Sequence, residues 1–175
     1  MHAVTALRER PRGRVDVELD GAPWRTLPAD VVVRGGLLVG RTLDRETART
    51  LARELRRSRA LARGMRALRH RDLSRRALAE RLPGPARDEA LDTLERSGYL
   101  DDMRSASARA SALAARGWGD AAVRYRLEHE GFDGEALEAA IAALEPEADR
   151  ARSLLSRGRT ARWLAARGFT VAPEE

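Results

Sequence analysis

Three short stretches of this 175-residue sequence specify its fold: LERSGY at residues 94–99, LEHEGF at 127–132 and LAARGF at 164–169. In each stretch a Leu stands four residues before a Gly, and an aromatic residue follows the Gly. A Gly after a helix supplies the left-handed residue that ends it, and the aromatic side chain can fold back over the last turn. Each stretch therefore predicts a helix that ends in the same type of turn.

These stretches belong to longer repeats of short helices. The stretch at 127–132 aligns with the one at 164–169, and residues 74–82 align with 119–127. Repeats of this length stack so that each unit contacts its neighbours. We predict a mainly α fold of tandem three-helix modules in an elongated curved array, with a small N-terminal β-hairpin or β-sheet cap and a long basic helix. The predicted domains are a β-rich region at 1–43, a basic connecting helix at 44–60, module 1 at 61–99, module 2 at 100–145 and a truncated module 3 at 146–175.

Short polar residues follow the three stretches and are expected to cap the next helices. They are Asp101 with Asp102, Asp133 with Gly134, and Thr170. The Asp101–Asp102 pair also has the composition of a metal site. Its position between a Gly-aromatic turn and a helical run of Ser and Ala favours the helix cap.

The first 43 residues follow a different pattern. Apolar and charged residues alternate at 14–19, Asp20-Gly21 follows, and a second run covers 22–27. Asp-Gly between two such runs is typical of a hairpin. Pro28 can open a short helix that ends at Gly35-Gly36, and residues 37–39 are expected to return as a strand. We therefore predict a three-stranded sheet that packs on the helix that follows.

That helix is predicted from Arg45 to about His70, with Asp44 as its N-cap. One stripe of it is apolar and comprises Leu51, Leu55, Ala62, Met65 and Leu68. The opposite face carries arginines at steps of three or four residues. We call this face the arginine rail; it comprises Arg45, Arg49, Arg53, Arg56, Arg59, Arg63 and Arg66.

The charge of the chain is concentrated around this rail. All 33 basic residues are Arg, which suits bidentate recognition of phosphate or carboxylate but is also explained by a nucleotide bias in the source genome. Between positions 45 and 71 there are ten Arg and two acids, Glu46 and Glu54. A rail that served solubility alone would mix signs to avoid self-repulsion. The pattern favours binding to phosphates or to an acidic protein, with a solvated helix face as the alternative.

Catalytic chemistry finds no support in the sequence. There is no Cys, and His2, His70 and His129 lack metal-ligand spacing, so they are expected on the surface. No glycine-rich stretch fits a nucleotide-binding fingerprint, and no Ser is paired with a His. We therefore predict no enzyme activity, metal or cofactor. Trp118 and Trp163 are expected to pack in the core, with base stacking as the alternative.

The order and spacing of several motifs resemble the RecX family of recombinase regulators over roughly residues 60–170. The matching residues are Ala67-Leu68-Arg69 with Ser74 and Leu78; Leu94 with Gly98-Tyr99-Leu100-Asp101-Asp102; Arg116-Gly117-Trp118-Gly119 with Val123, Leu127 and Gly131-Phe132; and Trp163-Leu164 with Arg167-Gly168-Phe169. The resemblance implies a cytoplasmic, non-enzymatic protein that binds the RecA recombinase filament on DNA. It also implies that such a protein damps strand exchange, ATP hydrolysis and coprotease activity, and so acts in recombination, DNA repair and the SOS response.

Charge then selects the candidate contact residues for the recombinase and for the backbone of single- or double-stranded DNA. They are Arg45, Arg49, Arg53, Arg56, Arg116, Arg124 and Arg126. The absence of a leader sequence and of an apolar run of about 20 residues favours a cytoplasmic location and no membrane partner, and we expect a monomer. The alternative is a stand-alone DNA-binding module that recognises DNA backbone and shape without a recombinase.

Overall fold

The computed structural model describes residues 2–170, which form two compact units. The first comprises the residues up to Arg66 together with Leu82–Thr93, and the second comprises Ala67–Arg81 together with the residues from Leu94 onward. As predicted, the chain is mainly α-helical and has a small N-terminal antiparallel sheet. Within the described range, no helix combines the length and the apolar composition needed to cross a bilayer.

The sheet of the first unit has four strands in the order β3-β2-β1-β4, all antiparallel. They are β1 (His2–Arg10), β2 (Arg14–Leu19), β3 (Ala22–Pro28) and β4 (Thr42–Leu43). The predicted hairpin is confirmed: Asp20 and Gly21 both have positive φ, at 50° and 81°, which fits the tight turn between β2 and β3. Alternate residues of β2 face inward, where Val15 and Val17 are buried.

The short helix predicted after Pro28 is confirmed as α1 (Ala29–Arg34). The strand predicted at residues 37–39 is wrong, because only Leu37 of that stretch is buried and the chain turns there. The backbone N–H of Leu37 donates to Val32 O, so this turn closes α1 instead of extending the sheet. The fourth strand forms later, where Thr42 pairs with Ala3.

Helix α2 (Arg45–Leu68) begins as predicted, since Asp44 accepts a hydrogen bond from the backbone N–H of Thr47 at 2.7 Å. Leu51 is buried in the core under the sheet, and Leu55 packs against that core. The predicted apolar stripe is wrong in the second half, where Ala62 and Met65 are exposed.

The buried residues of the second half of α2 are instead Arg57, Ala60 and Gly64. Ala60 lies nine residues after Leu51, which places it about half a turn round the helix. The helix therefore buries one face near the sheet and a different face further along. The single amphipathic stripe predicted from the sequence is therefore wrong for the second half of the helix.

Seven shorter helices follow among the described residues. They are α3 (Arg75–Ala79), α4 (Arg87–Arg96), α5 (Asp102–Ala115), α6 (Asp120–His129), α7 (Gly134–Ala142), α8 (Glu147–Ser156) and α9 (Ala161–Ala165). The predicted module 2 contains α5 to α7 around a core that includes Ala106, Ala110 and Leu127. The predicted module 3 contains α8 and α9, and Leu164 is buried in its smaller cluster. We refer to α3 and α6 as the middle helices of modules 1 and 2.

The three stretches that predict the fold end in the same turn. In each, the aromatic residue donates its backbone N–H to the carbonyl of the Leu five residues earlier, and the Gly between them has positive φ. Phe132 and Phe169 are buried. Tyr99 is 56% exposed, and Leu100 is buried next to it.

Contacts between successive modules repeat in the second unit. Ser74 Oγ, at the start of α3, donates to Glu130 O at 2.8 Å, and a Cβ on Gly131 would lie 2.6 Å from that hydroxyl. At the start of α6, Gly119 N donates to Arg167 O at 2.9 Å. The start of each middle helix is therefore fitted against the turn that ends a helix in the next module.

A carboxylate completes each of these contacts. Asp102 Oδ1 accepts from the backbone N–H of Arg75 at 2.8 Å, and Glu147 Oε1 accepts from that of Asp120 at 2.6 Å. Asp101 caps its own helix, α5, through the N–H of Arg104. The predicted capping role of the Asp101–Asp102 pair is thus confirmed, with Asp102 acting on a helix of another module.

Candidate arginine-rich binding surfaces

The arginine rail lies on α2 in the first unit, and all seven of its arginines are exposed. Four of them are the predicted contact residues Arg45, Arg49, Arg53 and Arg56. In the part of the chain that the structure describes, Arg53 alone of the seven forms an ion pair, with Glu54 at 3.2 Å. The other six rail arginines therefore present cationic groups whose attraction for a partner is not cancelled by a paired acid among the described residues.

Arg57 lies between rail residues in sequence but has a structural role. It is 9% exposed, and its Nε lies 2.7 Å from Glu89 Oε1, while Glu54 Oε2 is 3.8 Å from its Nη1. A buried guanidinium of this kind is held by its acids and is not available to a ligand. The sequence pattern of steps by three and four correctly leaves it out of the rail.

The other predicted contact residues, Arg116, Arg124 and Arg126, lie in the second unit and differ from one another. Arg116 is exposed, just beyond the C-terminus of α5. Arg124 is joined to Glu138 by two hydrogen bonds, and this pairing raises the pKa of the guanidinium. Arg126 instead stacks on an indole ring. Of the three, Arg124 is the one already neutralised by an acid.

Arg126 is the first member of a series of alternating guanidinium and indole groups that we call the Arg–Trp ladder. Its five members, in the order in which they contact one another, are Arg126, Trp118, Arg167, Trp163 and Arg159. The guanidinium carbons lie 4.0 and 4.5 Å from the Trp118 ring centre and 4.6 and 4.8 Å from that of Trp163. These are cation–π distances, and exposed examples contribute about 0.5–1 kcal/mol each.

Local backbone structure positions the ladder. Trp118 follows Gly117, whose φ of 76° ends α5, and its own N–H closes that turn on Leu113 O. Gly117 also leaves room for Trp163, because a Cβ there would lie 3.0 Å from the indole ring. Arg167 donates a hydrogen bond from Nη1 to Arg116 O at 3.2 Å, which fixes the guanidinium between the two rings.

The prediction that Trp118 and Trp163 pack in the core describes only part of their surroundings. Each ring is half-buried and packs against the apolar cluster of its module. The remaining ring surface is covered by arginine. The sequence signal that could have found this arrangement is the set of Arg residues at 126, 159 and 167 near the two Trp, a pattern typical of cation–π pairs.

The chemistry of the ladder suits anion binding. A stacked guanidinium keeps its N–H edge free to donate to phosphate or carboxylate oxygens. Across residues 2–170, no carboxylate lies within ion-pair distance of Arg126, Arg159 or Arg167. The ladder therefore presents three positive charges with ordered side chains, and less conformational entropy is lost when they bind an anion than with freely moving arginines.

A second buried arginine, Arg150, contacts the backbone of the ladder residue Trp118. Arg150 is 9% exposed, forms an ion pair with Asp120, and donates to the backbone carbonyls of Trp118 and Glu145 at 2.9 Å each. Its guanidinium also lies 5.6 Å from the Phe169 ring centre. This residue joins modules 2 and 3, and sequence reasoning gave no sign of it.

The histidines lie on the surface, as predicted. His2 lies against Asp20, with 2.6 Å between Nδ1 and Oδ2, and His129 stacks on Tyr125. His70 is exposed just after α2. Over the described residues, no group of three or more His, Asp or Glu side chains is arranged to hold a metal ion.

No family model matches the chain. A regulatory protein RecX of Xanthomonas oryzae pv. oryzae (strain MAFF 311018) is 33% identical over 113 residues, with 57% of this chain and 71% of the relative covered. A regulatory protein RecX of Xanthomonas axonopodis pv. citri (strain 306) is 36% identical over 88 residues, with 50% of this chain and 54% of the relative covered. A crystal structure of a regulatory protein RecX shares the fold, with a TM-score of 0.82 over 97% of this chain and 95% of that chain at 19% identity. By its identity to the first of these relatives and the share of that protein it covers, the chain belongs to the RecX family.

Proposed function

We propose that this chain regulates the RecA recombinase: it binds the RecA filament on DNA and lowers its recombinase, ATPase and coprotease activities. The proposal includes a non-enzymatic mode of action, a cytoplasmic location and a monomeric state. Membership of the RecX family supports the regulatory role. The observation that carries the binding mode is the set of rail and ladder arginines that, Arg53 excepted, have no acidic partner among the described residues.

The rail supplies the contacts that depend on charge alone. Its exposed guanidiniums can neutralise several phosphates, and each phosphate neutralised on duplex DNA changes the slope of log K against log salt by about −0.9. Such contacts carry no sequence information, so they fit a regulator that acts wherever a filament forms. Arg45, Arg49, Arg53 and Arg56 are the proposed contacts on this surface.

The ladder supplies contacts that are more ordered. Arg126 and Arg167 are held against Trp118, so their N–H edges point in fixed directions and suit bidentate contact with a phosphate or an acidic side chain. Arg116 precedes Trp118 by two residues, and its backbone carbonyl accepts a hydrogen bond from Arg167. Arg124 contributes less in this proposal, because Glu138 already satisfies it.

The repeated module contacts support binding to a repetitive partner. A chain whose modules are joined by the same contact at each step can place similar surfaces at regular intervals. Once one module is bound to a filament subunit, the next binds at a high effective concentration, so weak contacts add up to strong binding. A helical filament of identical subunits provides partner surfaces of this kind.

The test is a titration of the purified chain into RecA filaments assembled on single-stranded DNA, with ATP hydrolysis as the readout. We expect hydrolysis to fall at fewer than one molecule of the chain per RecA subunit. The variant with Arg45, Arg49, Arg53 and Arg56 all changed to Ala should need a concentration about tenfold higher for the same effect. Unchanged hydrolysis at equimolar wild-type chain would reject the proposal.

The unpaired cationic surfaces also favour a second candidate, a stand-alone DNA-binding module. It predicts salt-sensitive binding to free DNA with no preference for the filament. A gel-shift assay and a filament pull-down carried out in the same buffer separate the two functions. Strong binding to free DNA together with no retention on the filament would favour the stand-alone module.

A further inference from the structure

A groove of about 200 Å³ lies in the first unit, between α2 and the loop that precedes α4. One wall is formed by three rail arginines, Arg56, Arg59 and Arg63. The floor and opposite wall are apolar and comprise Ala60, Leu82, Pro83, Gly84, Pro85 and Ala86. The groove therefore combines an apolar surface with a cationic edge.

The repeat gives this groove a counterpart in module 2. Ala60 and Gly64 are buried four residues apart on α2, as Ala106 and Ala110 are on α5. Aligning these pairs places Arg56 at the position of Asp102. It also places Arg59 and Arg63 at the positions of Ser105 and Arg109, which line the corresponding surface of α5.

In module 2 the start of another helix lies beside that surface, which still encloses a cavity of about 360 Å³. The first turn of α3 lies there: Ser74 is fitted against Gly131, and the first N–H of the helix donates to Asp102. The N-terminus of a helix carries a partial positive charge, and the carboxylate of Asp102 complements it. The occupant and its groove thus have opposite charges.

The groove of module 1 carries an arginine where the surface of module 2 carries Asp102. A Cβ on Gly84 would meet nothing within 4 Å, whereas one on Gly131 would clash with the helix lodged there. Arg56 replaces the carboxylate of Asp102, and Arg59 adds a second positive charge. An occupant that fits this groove as α3 fits module 2 must therefore present negative charge where α3 presents its N-terminus.

We propose that this groove docks an acidic segment of a partner protein, such as the C-terminal turn of a helix that carries Glu or Asp. An apolar side chain of that segment packs between Ala60 and Pro85, and its carboxylates pair with Arg56, Arg59 and Arg63. The apolar floor favours a peptide over nucleic acid, because a phosphate backbone has no group to bury there. The inference deepens the proposed function, on which it rests for the partner being a protein of the filament.

The probe is a fluorescein-labelled helical peptide with two Leu four residues apart and Glu in its last turn, measured by fluorescence anisotropy. We expect saturable binding that weakens about tenfold in the groove variant, because three exposed charge pairs with the peptide are lost. Replacing both Leu of the peptide by Ser should weaken binding about fivefold, since the apolar contact is then lost. The groove variant carries Arg56→Ala, Arg59→Ala and Arg63→Ala.

The matched control removes the same charge from the same helix outside the groove; it carries Arg45→Ala, Arg49→Ala and Arg53→Ala. It should change peptide affinity by less than about twofold. All six side chains are exposed, so both variants are expected to keep their helices. Circular dichroism of each variant checks this. A separate variant, Pro85→Asp, leaves the rail intact and should also weaken binding by placing an acid in the groove.

Equal loss of affinity in the groove variant and the control would overturn the proposal, since the attraction would then depend on total charge. An unlabelled single-stranded oligonucleotide that displaces the peptide from the wild-type chain, but not from the groove variant, would also overturn it by assigning the groove to nucleic acid. Filament ATPase assays separate this result from the proposed function. Inhibition of the filament ATPase without peptide binding would contradict the groove proposal alone. Peptide binding without inhibition would contradict the proposed function alone.

Discussion

Asp102 and Glu147 stand 45 residues apart and have the same role, since each accepts a hydrogen bond from the first backbone N–H of the middle helix of the preceding module. Each carboxylate comes from the first turn of its own helix and compensates the N-terminus of another. Glu147 in addition accepts from the N–H of Thr170 at 3.0 Å. The repeat in the sequence is thus also a repeat of the contact that joins the modules.

The first prediction concerns this contact. Asp102→Ala removes the acceptor for the N–H of Arg75, so we expect a loss of about 1 kcal/mol in the free energy of unfolding, measured by urea denaturation. Asp102→Asn keeps an acceptor oxygen and should lose less. Faster amide hydrogen exchange at Arg75 in the Ala variant alone would assign the loss to this bond, and equal exchange in both variants would contradict it.

The second prediction concerns pH. Burial raises the pKa of Asp102 above its usual 3.8, an effect opposed by the hydrogen bond from Arg75 and reinforced by nearby Glu95 and Asp133. The folded state therefore binds the proton more tightly than the unfolded state, and the stability that Asp102 contributes falls as pH rises from about 3.8 through the folded pKa. The free energy of unfolding of Asp102→Asn, taken relative to wild type, should therefore increase as pH rises from about 3.5 to about 7.5.

Asp44 provides the control of opposite sign. Its hydrogen bond from the Thr47 backbone lowers the pKa of the carboxyl, so its stabilisation is present above the unfolded pKa and is lost as pH falls through the folded pKa. Asp44→Asn should therefore become less stable relative to wild type over the same rise in pH. Parallel curves for the two variants would mean that the environment of Asp102 does not disfavour its charge.

The third prediction separates packing from backbone conformation. A Cβ on Gly119 would lie 2.3 Å from Gly168 O, so Gly119→Ala must push modules 2 and 3 apart and should cost about 2–3 kcal/mol. Gly158 has a φ of 82° but nothing within 4 Å, so Gly158→Ala should cost only about 1 kcal/mol for the left-handed conformation. Limited proteolysis between α7 and α8 should accelerate in the first variant only.

The fourth prediction tests the buried arginine between modules 2 and 3. Arg150→Ala leaves Asp120 and two backbone carbonyls without their donor, so a loss of about 3 kcal/mol in unfolding free energy is expected. Arg150→Lys keeps the charge but cannot reach the three acceptors at once, and should recover less than half of the loss. Full recovery by Lys would show that charge alone is required.

The fifth prediction concerns DNA binding by the ladder. Arg167→Gln removes the guanidinium that lies between Trp118 and Trp163 and should lower the magnitude of the salt slope for a single-stranded oligonucleotide by about 0.7. The matched control is Arg124→Gln, whose guanidinium is already paired with Glu138, and it should change the slope little. Fluorescence anisotropy at several salt concentrations gives the slope for each variant. Equal changes in slope for Arg167→Gln and Arg124→Gln would show that the ladder does not contact DNA.

The arginines illustrate how far sequence predicts the candidate surfaces. Spacing alone placed seven of them on one face of α2, because a helix fixes which positions share a face. It gave no sign of Arg150, and the arginines near Trp118 and Trp163 indicate cation–π pairs without joining them into one ladder. Those contacts depend on the fit between modules 2 and 3, and no local pattern encodes that fit.

Local sequence was enough to specify the hairpin at Asp20-Gly21, the N-cap at Asp44, and the left-handed glycine turns after Leu94, Leu127 and Leu164, because these depend on backbone preferences of residues close in the chain. Packing between distant elements set which face α2 buries beyond Leu55 and where Tyr99 lies. It also made Asp102 the cap of a helix outside its own segment. These outcomes depend on which surfaces meet, and burial and charge pairing between distant residues are settled only when the modules pack.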